Sequence, residues 1–198
     1  MHTKVDTRPQ ELDPSAGRAE AGDPAAVGRG YLHVYTGEGK GKTTAAFGLA
    51  LRAAGHGKRV WIGQFMKARP SGEIAALRDN PLIVVEQYGD PGCIRRDEVT
   101  ARHRTHAGEG LARAAAALTS NDNDLVVLDE IDVAVLFGLL SEQDCVELIE
   151  ARPPQVELVI TGRSASPAVI ERADLVTEMR EVKHYYRQGV QARAGIEF

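Results

Sequence analysis

The sequence predicts an α/β fold: one domain on a mostly parallel sheet with helices on both faces. Three observations carry that prediction. From Tyr31 onward, short strand-like apolar runs alternate with helical stretches. The first run opens into a glycine-rich loop that starts a helix. A later run, "LVVLDE", ends in two adjacent acids. Strands alternating with helices become parallel neighbours joined by crossovers, and the crossovers cover both faces of the sheet.

The elements follow in order. "YLHVY" (Tyr31–Tyr35) reads as a strand running into the loop, and "TTAAFGLALRAAG" as an alanine-rich helix stopped by Gly55 and Gly57. "RVWIGQFM" (Arg59–Met66) is apolar enough for a strand buried on both faces. "LIVVEQY" follows Pro81 as a third strand, and Asp97–Leu118 reads as one long helix. Asp124–Glu130 is a fourth strand. Ser141 with Asp144 forms a capping box for the next helix. Val156–Gly162 is a fifth strand, Ser166-Pro167 starts a short helix, and Leu175–Val182 is an edge strand. Residues 1–30 are polar, rich in Gly, Pro and Ala, and without period. They read as a flexible leader, leaving residues 31–198 as the domain.

A chain of 198 residues has room for one domain with a real core. Its 43% hydrophobic and 26% charged residues are ordinary for a globular protein. No apolar run approaches a membrane span, and the N-terminus lacks the pattern of a signal peptide. A net charge of −4 argues against a protein built mainly to grip nucleic acid. Cys93 and Cys145 stand in no metal or redox spacing, which predicts a reduced, cytoplasmic setting.

The loop "TGEGKGKTT" ends as a phosphate-binding loop does, at Gly41-Lys42-Thr43, but Thr36 stands where the first glycine belongs. Gly37, Gly39 and Gly41 can take positive φ and turn backbone N–H groups inward as an anion nest. Glu38, Lys40 and Thr44 complete the nucleotide-contacting stretch. Lys42 brings a point charge to phosphates, Thr43 offers a hydroxyl to Mg²⁺, and the helix dipole adds attraction. Asp129 and Glu130, at a strand's carboxyl end, are the acids placed to hold that metal. Phosphate binding alone does not name a reaction, since a kinase, an ATPase or an alkyl transferase could all carry these motifs.

Several further stretches narrow the choice. "TGEGKGKTTAAFGLALRAAGHGKRV", "QFMK", "LVVLDE", "ARPPQVELVITGR", "ADLVTEMREVKH" and "GVQARAGIEF" together resemble the P-loop corrinoid adenosyltransferases. Members of that family act on cob(I)alamin or cob(I)yrinic acid a,c-diamide, and their loop also begins Thr-Gly. The resemblance implies a RecA-like domain, usually a homodimer, that binds ATP with its 5′ carbon facing the corrinoid. Co(I) attacks that carbon and triphosphate leaves. It implies ATP and corrinoid as substrates, Mg²⁺ as cofactor, and an electron donor such as a flavodoxin-like reductase. Lys42 and Glu130 become the catalytic residues, with Glu130 as the metal-associated acid beside Asp129. Arg52 and Arg163 fall at positions near the nucleotide.

One stretch departs from the family. Where aromatic residues often pack under the corrin, this chain has "EQYGDPGCIRRDE", with only Tyr88 and Ile94 as bulky apolar residues between 88 and 98. Arg95, Arg96, Arg102 and Arg104 read as a solvated face, because Asp97 and Glu98 are interleaved with them. His103 and His106 are three apart but lack further ligands. Tyr185 and Tyr186 either stack on a ligand or pack on their own sheet. The alternative functions are a P-loop ATPase or small-molecule kinase, and a RecA-like nucleic-acid binding module.

Overall fold

The structure is a computed structural model describing residues 28–198, Cys93 excepted. The leader reading falls on residues 1–27 and so lies outside the described residues, apart from its last three positions. Six strands form one sheet: β1 (Leu32–Thr36), β2 (Val60–Phe65), β3 (Ile83–Tyr88), β4 (Leu125–Asp129), β5 (Glu157–Thr161) and β6 (Leu175–Glu178). Their spatial order is β3-β2-β4-β5-β1-β6, and every pairing is parallel. The helices are α1 (Lys42–Gly55), α2 (Gly72–Leu77), α3 (Ala101–Thr119), α4 (Ile131–Leu136), α5 (Glu142–Ala151) and α6 (Pro167–Arg172).

Strand side chains alternate between two cores, as a period of two requires. Leu32, Val34, Trp61, Phe65, Val126, Leu128, Leu158 and Ile160 face α3, α4, α5 and α6. Val60, Ile62, Leu125, Val127 and Val159 face α1 and Leu77 of α2. Helix α1 lies close because Ala46, Ala50 and Ala54 form its buried stripe with Phe47. Gly110 does the same for α3: a Cβ there would sit 2.8 Å from the rings of Phe65 and Tyr88. Continuing the α1-face alternation brings Gln64, Asp129 and Thr161 to the carboxyl ends of the three central strands, on one side. That register assembles the site.

The α/β prediction holds, and its sheet is parallel throughout. Two sequence readings need correction. The long helix expected over Asp97–Leu118 is broken. A single 3-10 turn at Arg96–Glu98 is followed by extended Val99 and Thr100, and α3 begins at Ala101. Thr100 caps α3 reciprocally with His103, a pairing hidden because His stands where Glu or Gln usually does. The edge strand stops at Glu178 instead of reaching Val182, because Met179 leaves the sheet. Its carbonyl accepts the N–H of Gly39 at 2.6 Å. The short helices α2 and α4 carried no capping signal strong enough to read.

Candidate active site

The glycine loop connects β1 to α1 at the carboxyl end of the sheet. Gly37 (φ 96°) and Gly41 (φ 119°) take the left-handed conformations that only glycine adopts without strain. Gly39 does not; it is needed for space, since a Cβ there would lie 2.6 Å from the carbonyl oxygen of Met179. Thr36, in the place of the first glycine, has a structural use. Its hydroxyl accepts the N–H of Ala165 at 3.1 Å, tying the loop to the segment after β5. Gly37 donates its N–H to the carbonyl of Arg163 in the same segment, at 3.2 Å, and Gly39 donates to the carbonyl of Met179, so these two N–H groups do not turn inward as the anion nest the sequence predicts.

Lys42 is buried, and its ammonium donates to the carbonyls of Gly37 (2.6 Å) and Gly39 (2.8 Å). Burial lowers its pKa, and the nearby Glu130 opposes that shift. Thr43, next on α1, donates its hydroxyl to Asp129 Oδ1 at 2.9 Å. Asp129 is fully buried and accepts three further bonds: from Thr161 Oγ1 (2.8 Å), Gln64 Nε2 (2.9 Å) and Lys67 Nζ (2.8 Å). A buried carboxylate is tolerable only with such a full set of donors. The hub thus joins α1 to β2, β4 and β5.

Glu130 follows in the left-handed conformation (φ 64°, ψ 19°), an arrangement that costs a non-glycine residue about 1 kcal/mol. Its N–H is held by Thr161 Oγ1 at 3.0 Å. This turn carries the chain from β4 into α4 and aims the Glu130 side chain at a cavity of about 840 Å³. Burial raises the carboxyl pKa, Lys67 pulls it back down, and Asp129 adds to the rise. Asp132, two residues on, is a buried acid whose Oδ2 has no hydrogen-bond partner, and burial pushes its pKa up to about 7.

The loop from Glu38 to Thr44 lines the cavity together with Glu130 and Arg163. Arg163 pairs with Glu38 across the rim at 3.1 Å. Arg52 is elsewhere: it is exposed in the last turn of α1 and does not line this cavity. Lys40 turns toward the C-terminal segment, where its ammonium meets the Glu197 carboxylate at 2.8 Å and the Tyr185 hydroxyl at 3.3 Å. Tyr185 also donates to Glu197, and Arg193 pairs with the same carboxylate at 3.3 Å. Tyr186, unlike Tyr185, faces the cavity.

Sequence reasoning missed Gln64, Lys67, Thr161 and Glu197. A signal existed for two of them. Gln64 and Thr161 are polar residues in strands otherwise buried on both faces, and such groups need a buried partner. Lys67 and Glu197 lie in quoted stretches, but nothing local tells where a long side chain in a loop will reach. Of the metal candidates, Thr43 and Asp129 are in direct contact, with Glu130 beside them. Among the described residues, no three His, Cys, Asp or Glu side chains form a ready-made metal cluster. His103 instead pairs with Asp90 at 2.9 Å. Cys145 is a buried thiol, its pKa pushed up to about 12. No helix among the described residues is long and apolar enough to cross a membrane.

Comparisons with known proteins agree with this geometry. A model of the family described as ATP:corrinoid adenosyltransferase BtuR/CobO/CobP matches residues 28–198. A corrinoid adenosyltransferase of Pseudomonas aeruginosa is 41% identical over 171 residues, covering 86% of this chain and 84% of the relative. One from Escherichia coli K12 is 40% identical over 175 residues, covering 86% of each. The corrinoid adenosyltransferase CobA of Salmonella typhimurium is 39% identical over 175 residues, again covering 86% of each. Both the match across the whole described domain and the level of identity lead to one conclusion: the chain belongs to the ATP:corrinoid adenosyltransferase BtuR/CobO/CobP family.

Proposed function

We propose that this chain transfers the 5′-deoxyadenosyl group of ATP to the Co(I) centre of a corrinoid and releases triphosphate. One observation carries the reading. Lys42, Thr43 and the buried Asp129 meet beside a single cavity whose size suits a nucleotide. In the reaction the cobalt electron pair forms a Co–C5′ bond. The C5′–O bond breaks, and its electron pair leaves on the triphosphate oxygen. Cobalt carries no proton, so no general base is required.

The work left to the protein is to hold ATP and to stabilise the charge that builds on the departing triphosphate. Lys42 and the N-terminal dipole of α1 do this by fixed charge and dipole, which need no reorganisation as the bond breaks, whereas the N–H groups of Gly37 and Gly39 are already taken by the carbonyls of Arg163 and Met179. Its present bonds to the Gly37 and Gly39 carbonyls keep the Lys42 ammonium inside the loop, ready for phosphate oxygens. Arg163 adds positive charge at the rim. Thr43, Asp129 and Glu130 are hard oxygen donors and fit Mg²⁺, with phosphate oxygens and water completing the shell. When bound, the ion supplies further neutralisation of the leaving group. Co(I) is supplied by an electron donor such as a flavodoxin-like reductase. The proposed assembly is a homodimer, for which the exposed Leu175 and Val176 of edge strand β6 offer apolar surface.

The test is product analysis with ATP and a chemically reduced corrinoid. Adenosylated corrinoid and intact triphosphate in equal amounts are expected. ADP as the product would replace this reading with phosphoryl transfer. Within the reading, we also propose a preference for incomplete corrinoids over complete cobalamin when reduction starts from Co(II). Tyr88 packs on Phe65, with ring centroids 6.0 Å apart, and Ile94 packs on the main core, so neither is free to shield a corrin face. The kcat/KM ratio of the two substrates checks this, and equal values count against it.

A further inference from the structure

Lys67 stands two residues beyond β2, outside any element, yet its ammonium reaches the centre of the site. Met66 makes this possible. It adopts φ 61°, and its N–H donates to the Tyr88 carbonyl at 3.0 Å, so the chain turns sharply as it leaves the strand. Gly89 leaves room for that turn: a Cβ there would lie 2.5 Å from the Lys67 backbone nitrogen. A left-handed methionine and a glycine cleared for it are backbone features that set where Lys67 begins.

The Lys67 ammonium lies 2.8 Å from Asp129 Oδ2 and 3.0 Å from Thr43 Oγ1. These are two of the groups to which the proposed function gives the divalent cation. Mg²⁺ binds oxygen at about 2.0–2.1 Å. An ammonium in contact with the same two oxygens leaves a second cation no room, and the two charges repel at short range. The side chains of Lys67 and Asp129 are 35% and 0% exposed, so the lysine is the end that can move while the carboxylate stays fixed. A nucleotide polyphosphate offers the ammonium new oxygens within the same cavity, which Lys67 lines.

From this we infer that Lys67 is the resident counter-ion of the cation position between Thr43 and Asp129, so that a divalent cation enters only with nucleotide phosphates that draw the ammonium away. The lysine keeps the Asp129 charge paired before loading and excludes free metal. Once loaded, it adds a positive charge to the triphosphate. This rests on the metal assignment to Thr43 and Asp129, and the experiment separates the two ideas.

The probe is Mn²⁺, followed by the paramagnetic resonance signal of the free ion, first without nucleotide. Lys67→Met, with or without Asp129→Asn, and the charge-keeping Lys67→Arg are compared with wild type. Lys67→Met should bind nucleotide-free Mn²⁺ at least about tenfold more tightly than wild type or Lys67→Arg. Adding Asp129→Asn should abolish that gain. Equal affinity in wild type and Lys67→Met, whether tight or undetectable, overturns the inference. Should Lys67→Met fail to fold, the wild type still decides: tight nucleotide-free Mn²⁺ binding that Asp129→Asn removes overturns it, and its absence supports it. The metal assignment is tested apart, by Mn²⁺ affinity with ATP present. If Asp129→Asn leaves that affinity unchanged, the assignment fails whatever Lys67 does.

Discussion

Replacing Asp129 by Ala removes the acceptor for four side chains, and the structure separates those that can recover from those that cannot. Thr43 and Lys67 are part-exposed at the cavity and can turn to water. Thr161 and Gln64 are buried; the amide of Gln64 and the hydroxyl hydrogen of Thr161 would be left unpaired. At about 1–3 kcal/mol for each orphaned buried group, the loss is about 2–6 kcal/mol. For a domain of this size that lowers Tm by roughly 5–20 °C. Asp129→Asn should cost much less. Its Oδ1 keeps Thr43 and Thr161, and Gln64 and Gln87, which are themselves bonded at 3.0 Å, can both flip their amides to follow. Both variants should lose the proposed adenosyl transfer. The assay is thermal unfolding of the two purified variants beside wild type. An Asp129→Ala protein melting within 2 °C of wild type, on the scale just given, would refute the hub argument.

Lys42→Ala should fold, since Lys42 lines the cavity and its ammonium bonds only two loop carbonyls, while turnover falls by about two orders of magnitude or more, roughly 3 kcal/mol. Near-normal rates in the folded variant would end the phosphate-loop argument. Glu130→Gln should lower activity with partial recovery at high Mg²⁺; an unchanged magnesium dependence moves the metal role off Glu130. The third concerns acid stability. The Arg113 guanidinium, bonded to Glu86 at 2.6 and 3.1 Å, holds that carboxyl down at about 2 instead of 4.5, burial working against it. The folded pKa is depressed, so the contribution is present above 4.5 and lost as pH falls toward 2. Arg113→Met should therefore unfold at higher pH on acid titration, with no difference from wild type below about pH 2. Parallel acid-unfolding curves by circular dichroism check it.

The alternation of strand and helix was legible because parallel strands must be apolar on both faces and are punctuated by glycine, proline or acids. The loop residues and the "LDE" acids were legible for a related reason: they sit at fixed offsets from strand ends. What stayed hidden was long-range reach. The parity that sends Gln64, Asp129 and Thr161 to the same face is readable only once strand register is known. Lys67 depends on a left-handed Met66, which no propensity predicts. The break before α3 was misread because a histidine performs the capping expected of a glutamate. Arg52, which the resemblance places near the nucleotide, does not line the cavity.

The place of Asp129 at the middle of the sheet has a consequence for how the chain folds. Its partners come from residues 43, 64, 67 and 161, so the hub closes only after β2, β4, β5 and α1 have all docked. Parallel pairings across such sequence distances form slowly, because each closes a long loop before it gains contacts. A partly folded chain therefore has no competent nucleotide site. Ligand that binds the native state alone shifts the whole unfolding equilibrium. Slowed amide exchange on adding nucleotide should then extend through the central strands and not stop at the glycine loop.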